Sequence, residues 1–249
     1  MAELVRARRP AHLVVATGLC LANFPPASEW TADGRSDRYW LEVLSDPKRK
    51  ISDILIRDFI NQYTLHRQGR WVCKKVQDQL SKFGRGCVGS SENVEALAKG
   101  LAECVPTRKA KGSQQEQMKR AAPAEQHSAA SKFAFFSQPA AKHHIFDSVV
   151  RVALRGRRVG LTVPATYAKF FPIASEEYQK EQKDTEFEAA FVRYAEQQLE
   201  LPATVPPDFH RRYFFDKFLL AQGVFIQAEL DRRKADPDPE SAPRRGRHE

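Results

Sequence analysis

Long apolar runs are missing from this chain of 249 residues. No segment approaches the roughly 18 consecutive apolar residues that a membrane-spanning helix requires, so we expect a protein without a membrane partner. Near the N-terminus, Arg6, Arg8 and Arg9 precede an apolar stretch, but Pro10 and His12 interrupt its beginning. We therefore interpret this segment as mature protein rather than as a signal peptide, and we expect a cytoplasmic location.

Paired cysteines and several common catalytic motifs are missing as well. The four cysteines include no C-x-x-C pair, so we expect free buried thiols rather than a zinc knuckle or an iron–sulfur loop. The sequence contains no G-x-x-x-x-G-K-[ST], no H-E-x-x-H and no G-x-S-x-G. His143 and His144 are adjacent and would project in different directions, which makes them a poor metal-binding pair. We expect neither a cofactor nor a metal ion.

Strand patterns are scarce, and helical patterns take their place. Alternation of apolar and polar residues occurs only at Leu13–Ala16 and Arg158–Val163, which would form at most one short strand pair. Elsewhere apolar residues recur at helical spacing, and Ser52 and Ser91 precede two such stretches as predicted N-caps. The predicted fold class is therefore all-α.

The predicted domain organisation is a single helical domain followed by a tail. The domain covers residues 1–231, and residues 106–130 form the only plausible seam in it. Gly223 is predicted to separate a final pair of helices. Residues 232–249 are rich in Arg and Pro and lack apolar periodicity, which predicts a disordered tail.

Positive charge is the feature that the chain has in excess. It contains 40 Lys and Arg against 31 Asp and Glu, a formal net charge of +9. This balance suggests a polyanionic partner such as nucleic acid. Thr107–Lys119 is basic and is either a solvated face or a phosphate-contacting surface. Arg211, Arg212 and Lys217 alternate with phenylalanines, which predicts a core helix with a basic outer face.

The most informative segment is Ser128–Leu154. It is predicted to form a helix, a proline-containing loop, the apolar pair Ile145-Phe146, and a second helix that Asp147 opens. Judged from the residues alone, Asp147 is an N-cap whose carboxylate accepts backbone N–H bonds from the first turn.

This segment resembles the core of the helix-hairpin-helix DNA glycosylases, the superfamily of endonuclease III and 8-oxoguanine glycosylase. Residues 132–134 resemble its K-[TV]-A element, and residues 146–151 resemble V-D-x-H-[VI]-x-R. The segment is more similar to a prokaryotic, 8-oxoguanine-glycosylase-like branch that is associated with antiviral defence. The chain departs from the superfamily in two ways: residues 113–155 contain no glycine of the DNA-anchoring hairpin, and Val149 stands where a histidine is usual. The residues that fit the pattern of the branch are Ser131, Lys132, Phe133, Phe136, Pro139, Ile145, Asp147 and Ser148.

The resemblance implies a two-lobed helical DNA glycosylase that flips a modified base out of double-stranded DNA and hydrolyses its N-glycosidic bond. Asp147 would be the catalytic carboxylate, because a carboxylate near C1′ stabilises the positive charge that builds on the sugar or deprotonates the attacking water. Lys132 would be a second catalytic residue, and attack by its amine would add a weak abasic-site lyase activity. No iron–sulfur cysteines are present, so no cluster is implied.

A flipped base needs a pocket, and the DNA backbone needs cationic contacts. The candidates for the base pocket are aromatic residues: Tyr39, Trp40, Trp71 and Phe135. The candidates for DNA binding are cationic residues near Asp147 in the sequence: Lys142, His143, Arg151, Arg155, Arg157 and Arg158. Arg155–Arg158 is the predicted phosphate-binding run.

Three alternatives stay open at this point. The substrate is either a phage hypermodified cytosine, such as glucosylated hydroxymethylcytosine, or an oxidised or alkylated base that is a target of repair. The protein is otherwise a DNA-binding protein of the same fold without catalysis. It is otherwise a helical scaffold in which Asp147 only caps a helix. In each case we expect a monomer.

Overall fold

The computed structural model describes the greater part of the chain, namely residues 2–24, 36–63, 65, 71–85, 89–105, 126–158, 161–162, 164–197 and 205–235. All regular secondary structure in these ranges is helical, which confirms the predicted all-α fold class. The predicted strand pair is wrong where it can be checked. Leu13–Ala16 lies inside a helix, and the described residues of 158–163 form no strand.

Eleven helices are present in the described ranges. They are α1 (Ala2–Ala7), α2 (Arg9–Asn23), α3 (Asp37–Ser45), α4 (Asp53–Gln62), α5 (Cys73–Phe83), α6 (Ser91–Ala102), α7 (His127–Ser137), α8 (Ser148–Arg157), α9 (Tyr167–Glu181), α10 (Thr185–Glu196) and α11 (Pro207–Ala235).

Short polar side chains begin several of these helices. Ser52 accepts a hydrogen bond from the Leu55 amide at 3.3 Å, which confirms it as the N-cap of α4. The prediction for Ser91 is wrong by one position. Ser91 is the first residue of α6, and Ser90 stands at the N-cap without a side-chain capping bond.

The long helix α11 lies at the centre of the fold. It packs against α2 and α8, while α7 packs against α3 and α6. The prediction of two helices separated by Gly223 is wrong, because α11 continues through that residue. A Cβ atom on Gly223 would lie 2.1 Å from the Val149 carbonyl oxygen, so this glycine lets α8 approach the α11 backbone.

Residues 212–219 of α11 are buried on every side. The predicted basic outer face is therefore wrong for Arg212 and Lys217, both of which are buried. Their charges are balanced inside the protein: Arg212 pairs with Asp208 at 2.9 Å, and Lys217 pairs with Asp37 at 3.0 Å. Phenylalanine side chains of α4, α7, α10 and α11 fill the surrounding core.

The ends of the predicted domain are only partly described. Helix α11 extends to Ala235, so the predicted disordered tail cannot begin at residue 232. Residues 236–249 and residues 106–125 of the predicted seam lie outside the described ranges. Among the described helices, none combines the length and the apolar character needed to cross a membrane.

Candidate active site

The structure brings Lys132 and Asp147 together. Lys132 lies in the middle of α7, and Asp147 immediately precedes α8. The Lys132 Nζ donates to Asp147 Oδ2 at 2.9 Å, and it also donates to Ser128 Oγ at 3.3 Å. The Lys132 side chain is 9% exposed and that of Asp147 is 26% exposed. The ion pair is therefore mostly shielded, while its carboxylate is still open to a ligand.

A second contact fixes the same two segments one residue earlier. The Ser131 Oγ accepts a hydrogen bond from the Phe146 amide at 2.9 Å and donates to the Ser128 carbonyl at 3.0 Å. Ser131 and Lys132 thus bind the consecutive residues Phe146 and Asp147. Two adjacent contacts set both the position and the direction of the loop that delivers Asp147.

The loop between α7 and α8 is held by buried side chains along its length. Arg212 donates to the Pro139 carbonyl at 2.7 Å and to the His143 carbonyl at 3.0 Å. The His144 amide donates to the Tyr167 hydroxyl at 3.1 Å. Because these partners are themselves buried, the loop is preorganised, as a reaction centre requires.

Asp147 is also the predicted N-cap. Its Oδ1 accepts a hydrogen bond from the Val149 amide at 3.0 Å, which confirms the capping prediction. Burial raises the pKa of the Asp147 carboxyl, but the charge of Lys132 and the Val149 hydrogen bond outweigh burial. The pKa therefore lies below its ordinary value, and Asp147 is an ionised carboxylate at neutral pH. Its Oδ1 and Oδ2 are each held in place by a donor.

A buried polar cluster lies beneath this pair, and the sequence reasoning missed it. At its centre the Asp37 carboxylate accepts hydrogen bonds from the hydroxyls of Tyr63 and Tyr213 and from Lys217 Nζ at 3.0 Å. Asp216, next to Lys217 on α11, is 5% exposed. We call these five residues the buried polar cluster.

The sequence did contain a signal for this cluster. Asp216 and Lys217 interrupt a run of aromatic and aliphatic residues from Tyr213 to Leu220. Charged residues are rarely buried unless they are paired, so two charges inside an apolar run point to buried partners elsewhere in the chain. The partner Asp37 comes from α3, and no local pattern identifies it.

The predicted DNA-binding residues fall into two groups. Lys142 and Arg155 are exposed, and neither forms an ion pair or a hydrogen bond with the residues that the structure describes. Arg151 is half-buried, donates to the Pro164 carbonyl at 2.9 Å and lies over the Phe146 ring. Asp147, Arg151 and Arg155 recur every four residues and therefore share one face of α8.

The other three predicted DNA-binding residues are occupied inside the protein. His143 is buried and its Nε2 lies 2.9 Å from Gln138 Oε1. Arg157 pairs with Glu177 at 3.1 Å and with Glu181 at 2.7 Å. Arg158 pairs with Glu176 and Glu177. The prediction of a phosphate-binding run at Arg155–Arg158 is therefore wrong for its last two arginines, whose charges are neutralised by α9.

The predicted base-pocket aromatics belong largely to the core. Trp40 and Phe135 are fully buried, and the Trp40 indole N–H donates to Gln62 Oε1 at 2.8 Å. Trp71 is half-buried and donates to the Leu65 carbonyl at 3.0 Å. Tyr39 is half-buried, and the Arg49 guanidinium lies over its ring. The structure does not bring these four residues together around Lys132 and Asp147.

A glycine motif does occur in the sequence, away from Lys132. Gly84, Gly86 and Gly89 have G-x-G-x-x-G spacing, but they connect two helices, α5 and α6, instead of following a strand. This context differs from that of a dinucleotide-binding turn. The Gln138 amide donates to the Phe83 and Gly84 carbonyls, which ties the start of the motif to the α7–α8 loop.

Comparison of the chain with protein-family models, curated proteins and solved structures gave no match. Within the described residues, no three His, Cys, Asp or Glu side chains are grouped as metal ligands. The function is therefore argued from the geometry around Lys132 and Asp147.

Proposed function

We propose that the protein is a DNA N-glycosylase that excises a modified base and leaves an abasic site. The observation that carries this proposal is the ion pair between Lys132 Nζ and Asp147 Oδ2 at 2.9 Å, at the mouth of α8. These are the two residues to which the resemblance assigns the chemistry, and they come from different helices. Their contact therefore requires the fold and is not a consequence of their sequence separation.

The chemistry of base excision fits this arrangement. Breaking a glycosidic bond leaves positive charge on the sugar, and a fixed carboxylate stabilises that charge. Asp147 is ionised, partly exposed and held by the Val149 amide, so it needs little reorganisation to act. The same carboxylate accepts a proton from the water that attacks C1′.

The proposed partner is double-stranded DNA that carries a modified base, and the protein acts on it as a cytoplasmic monomer. The substrate is either a glucosylated hydroxymethylcytosine of phage DNA or an oxidised or alkylated base. A base inside a duplex cannot reach Asp147, so the nucleotide must flip out of the helix. The exposed Lys142 and the basic face of α8 that follows Asp147 provide cationic contacts for the phosphates.

A binding experiment tests this contact surface. Arg155→Glu should weaken duplex binding and reduce the slope of log K against log salt by about 1, because one phosphate contact is lost. The control is Arg193→Glu on α10, which is exposed and distant in sequence from Asp147. Equal effects of the two variants would contradict a contact surface along α8.

A competing function also has an observation in its favour. Asp147 caps α8 and neutralises Lys132, and both roles are structural. A non-catalytic DNA-binding protein would keep both contacts for stability alone. The two functions differ in whether DNA loses a base.

The decisive experiment is a screen for released bases. Genomic DNA containing cytosine, hydroxymethylcytosine or glucosylated hydroxymethylcytosine, and duplexes containing oxidised or alkylated bases, are incubated with the protein. Mass spectrometry detects the free base, and alkali reveals abasic sites. Asp147→Asn should abolish release while duplex binding persists, since Asn still caps a helix. Release by Asp147→Asn at the wild-type rate would refute the proposal.

Asp184→Asn is the matched control. Asp184 caps α10 by accepting from the Phe187 amide at 2.9 Å, and it pairs with Arg9 at 2.8 Å. It therefore has the same two structural roles as Asp147 at another place in the fold, and its substitution should leave base release unchanged. Strand cleavage without alkali that disappears in Lys132→Ala would add lyase activity to the assignment.

A further inference from the structure

Asp216 is a buried carboxyl whose hydrogen-bonding capacity is unused. It is 5% exposed, and it accepts no hydrogen bond from the residues that the structure describes. Its neighbours Tyr213 and Lys217 on α11 both bind Asp37 instead. A buried polar group without a partner is costly, so it suggests a ligand that supplies the missing hydrogen bond.

The packing of α8 on α11 places Asp216 near the Lys132–Asp147 pair. Gly223 contacts Val149, and Gly156 contacts Ile226 further along both helices. Asp147 precedes Val149, and Asp216 precedes Gly223 by two turns on the same face of α11. Both carboxyls therefore lie toward the same end of the α8–α11 contact.

The charges around Asp216 come from each helix packed nearby. Burial raises the pKa of the Asp216 carboxyl to about 7, Lys217 and Lys132 lower it, and Asp147 and Asp37 raise it. The Cys20 thiol of α2 and the Tyr63 hydroxyl of α4 also lie within range of its charge. Two carboxyls whose environments drive their proton affinities apart are the usual arrangement for an acid and a base in one site.

We propose that Asp216 is a further catalytic residue, the general acid that protonates the departing base while Asp147 serves as the carboxylate. This inference rests on the proposed glycosylase function. It adds a residue that neither the resemblance nor the sequence pattern identified, and it assigns the missing hydrogen bond of Asp216 to the flipped base.

The proposed step balances as a hydrolysis. The C1′–N bond breaks, its electron pair goes to the base, and the Asp216 proton transfers to the base. Water adds to C1′ and gives its proton to the Asp147 carboxylate. Exchange of that proton through solvent to Asp216 restores the starting state, so the net reaction consumes one water and releases one base.

The test is the single-turnover rate of base release between about pH 5 and about pH 9, measured on the duplex that the screen identifies as a substrate. For the wild type the rate should fall about tenfold per pH unit above the pKa of the acid. Asp216→Asn should be slower by about 10² to 10⁴ at pH 6, and it should lack this alkaline decline. Asp231→Asn, an exposed aspartate of α11, is the control and should keep the wild-type profile.

The possible outcomes separate the two proposals. If Asp216→Asn matches the wild type in rate and in pH profile, Asp216 is not the acid, and the assignment of Asp147 is unaffected. If the wild type itself shows no alkaline decline, the role of Asp216 is refuted without relying on any variant. If the wild type releases no base from any DNA in the screen, the glycosylase proposal fails and the role of Asp216 fails with it.

Discussion

Ser131 is the residue on which the position of Asp147 depends most directly, after Lys132. Its hydroxyl accepts the Phe146 amide, one residue before the carboxylate. Ser131→Ala should lower the free energy of unfolding by about 1–3 kcal/mol, because it leaves that buried amide without a partner. Base release should slow as well, since the loop loses one of its two contacts with α7. Urea unfolding and single-turnover kinetics measure the two effects.

Ser137→Ala is the matched control for this substitution. Ser137 is on the same helix and is completely buried, but its hydroxyl forms no hydrogen bond. Its removal should leave stability unchanged or raise it, and base release should stay at the wild-type rate. If both serine variants behave alike, the Ser131–Phe146 contact does not position the loop.

Individual residues were predictable when their role is local. The N-cap role of Asp147 follows from its place before an apolar helical stretch, and its pairing with Lys132 agrees with the resemblance. The pairing of Arg157 with Glu177 and Glu181 was not predictable. It depends on how α9 packs against α8, and no local sequence pattern encodes that contact.

Among the helices, the contact between α8 and α11 sets the geometry of the site. A Cβ on Gly223 would meet the Val149 carbonyl, a backbone atom that cannot turn aside. Gly223→Ala should therefore destabilise the protein by about 1–3 kcal/mol, although alanine is ordinarily the better helix former. It should also slow base release, since Val149 follows Asp147 by two residues. Thermal unfolding and the release assay measure both.

Gly18→Ala in the middle of α2 provides the opposite case. No atom lies within 4 Å of the position that its Cβ would take. Helix propensity should then act alone and raise the stability by about 0.5–1 kcal/mol. If Gly223→Ala gave the same gain, the close approach of α8 to α11 would be wrong.

The helices themselves were largely predictable from apolar periodicity, and their boundaries less so. The expected break at Gly223 failed because a buried glycine in a helix can serve close packing instead of chain reversal. The expected basic face of α11 failed for a related reason. A helix that is apolar all round has no outer face, so Arg212 and Lys217 had to find partners inside.

Across the whole molecule, much of the positive charge is already neutralised. Arg9, Arg157, Arg158, Arg212 and Lys217 all pair with carboxylates within the fold. The net charge of +9 is therefore a weaker guide to the DNA surface than the sequence indicated. The exposed residues Lys142 and Arg155 are better candidates than the arginine run as a whole.

The dependence of stability on pH is a property of the whole chain. Burial and nearby arginines lower the pKa of His143, His144 and His210 to about 4, 3 and 4. The unfolded state therefore takes up three protons below about pH 6.5 that the folded state does not. Asp216 acts in the opposite sense, since its folded pKa is about 7 and the folded state holds its proton.

These terms leave a net uptake of about two protons on unfolding between roughly pH 4.5 and pH 6. The free energy of unfolding should then fall by about 2–3 kcal/mol for each pH unit of acidification in this range. Urea unfolding at several pH values measures it. Asp216→Asn should steepen the decline, because it removes the opposing proton. A free energy that stays constant or rises on acidification would contradict the buried neutral histidines.

The most direct test of the account is the single-turnover rate of base release by Asp147→Asn compared with Asp184→Asn, on the same modified duplex. Both variants keep a helix cap and lose one carboxylate that pairs with a cation. The account predicts a fall of about 10² or more for Asp147→Asn and an unchanged rate for Asp184→Asn. Equal rates for the two variants would show that the Lys132–Asp147 pair is a structural contact and not a reaction centre.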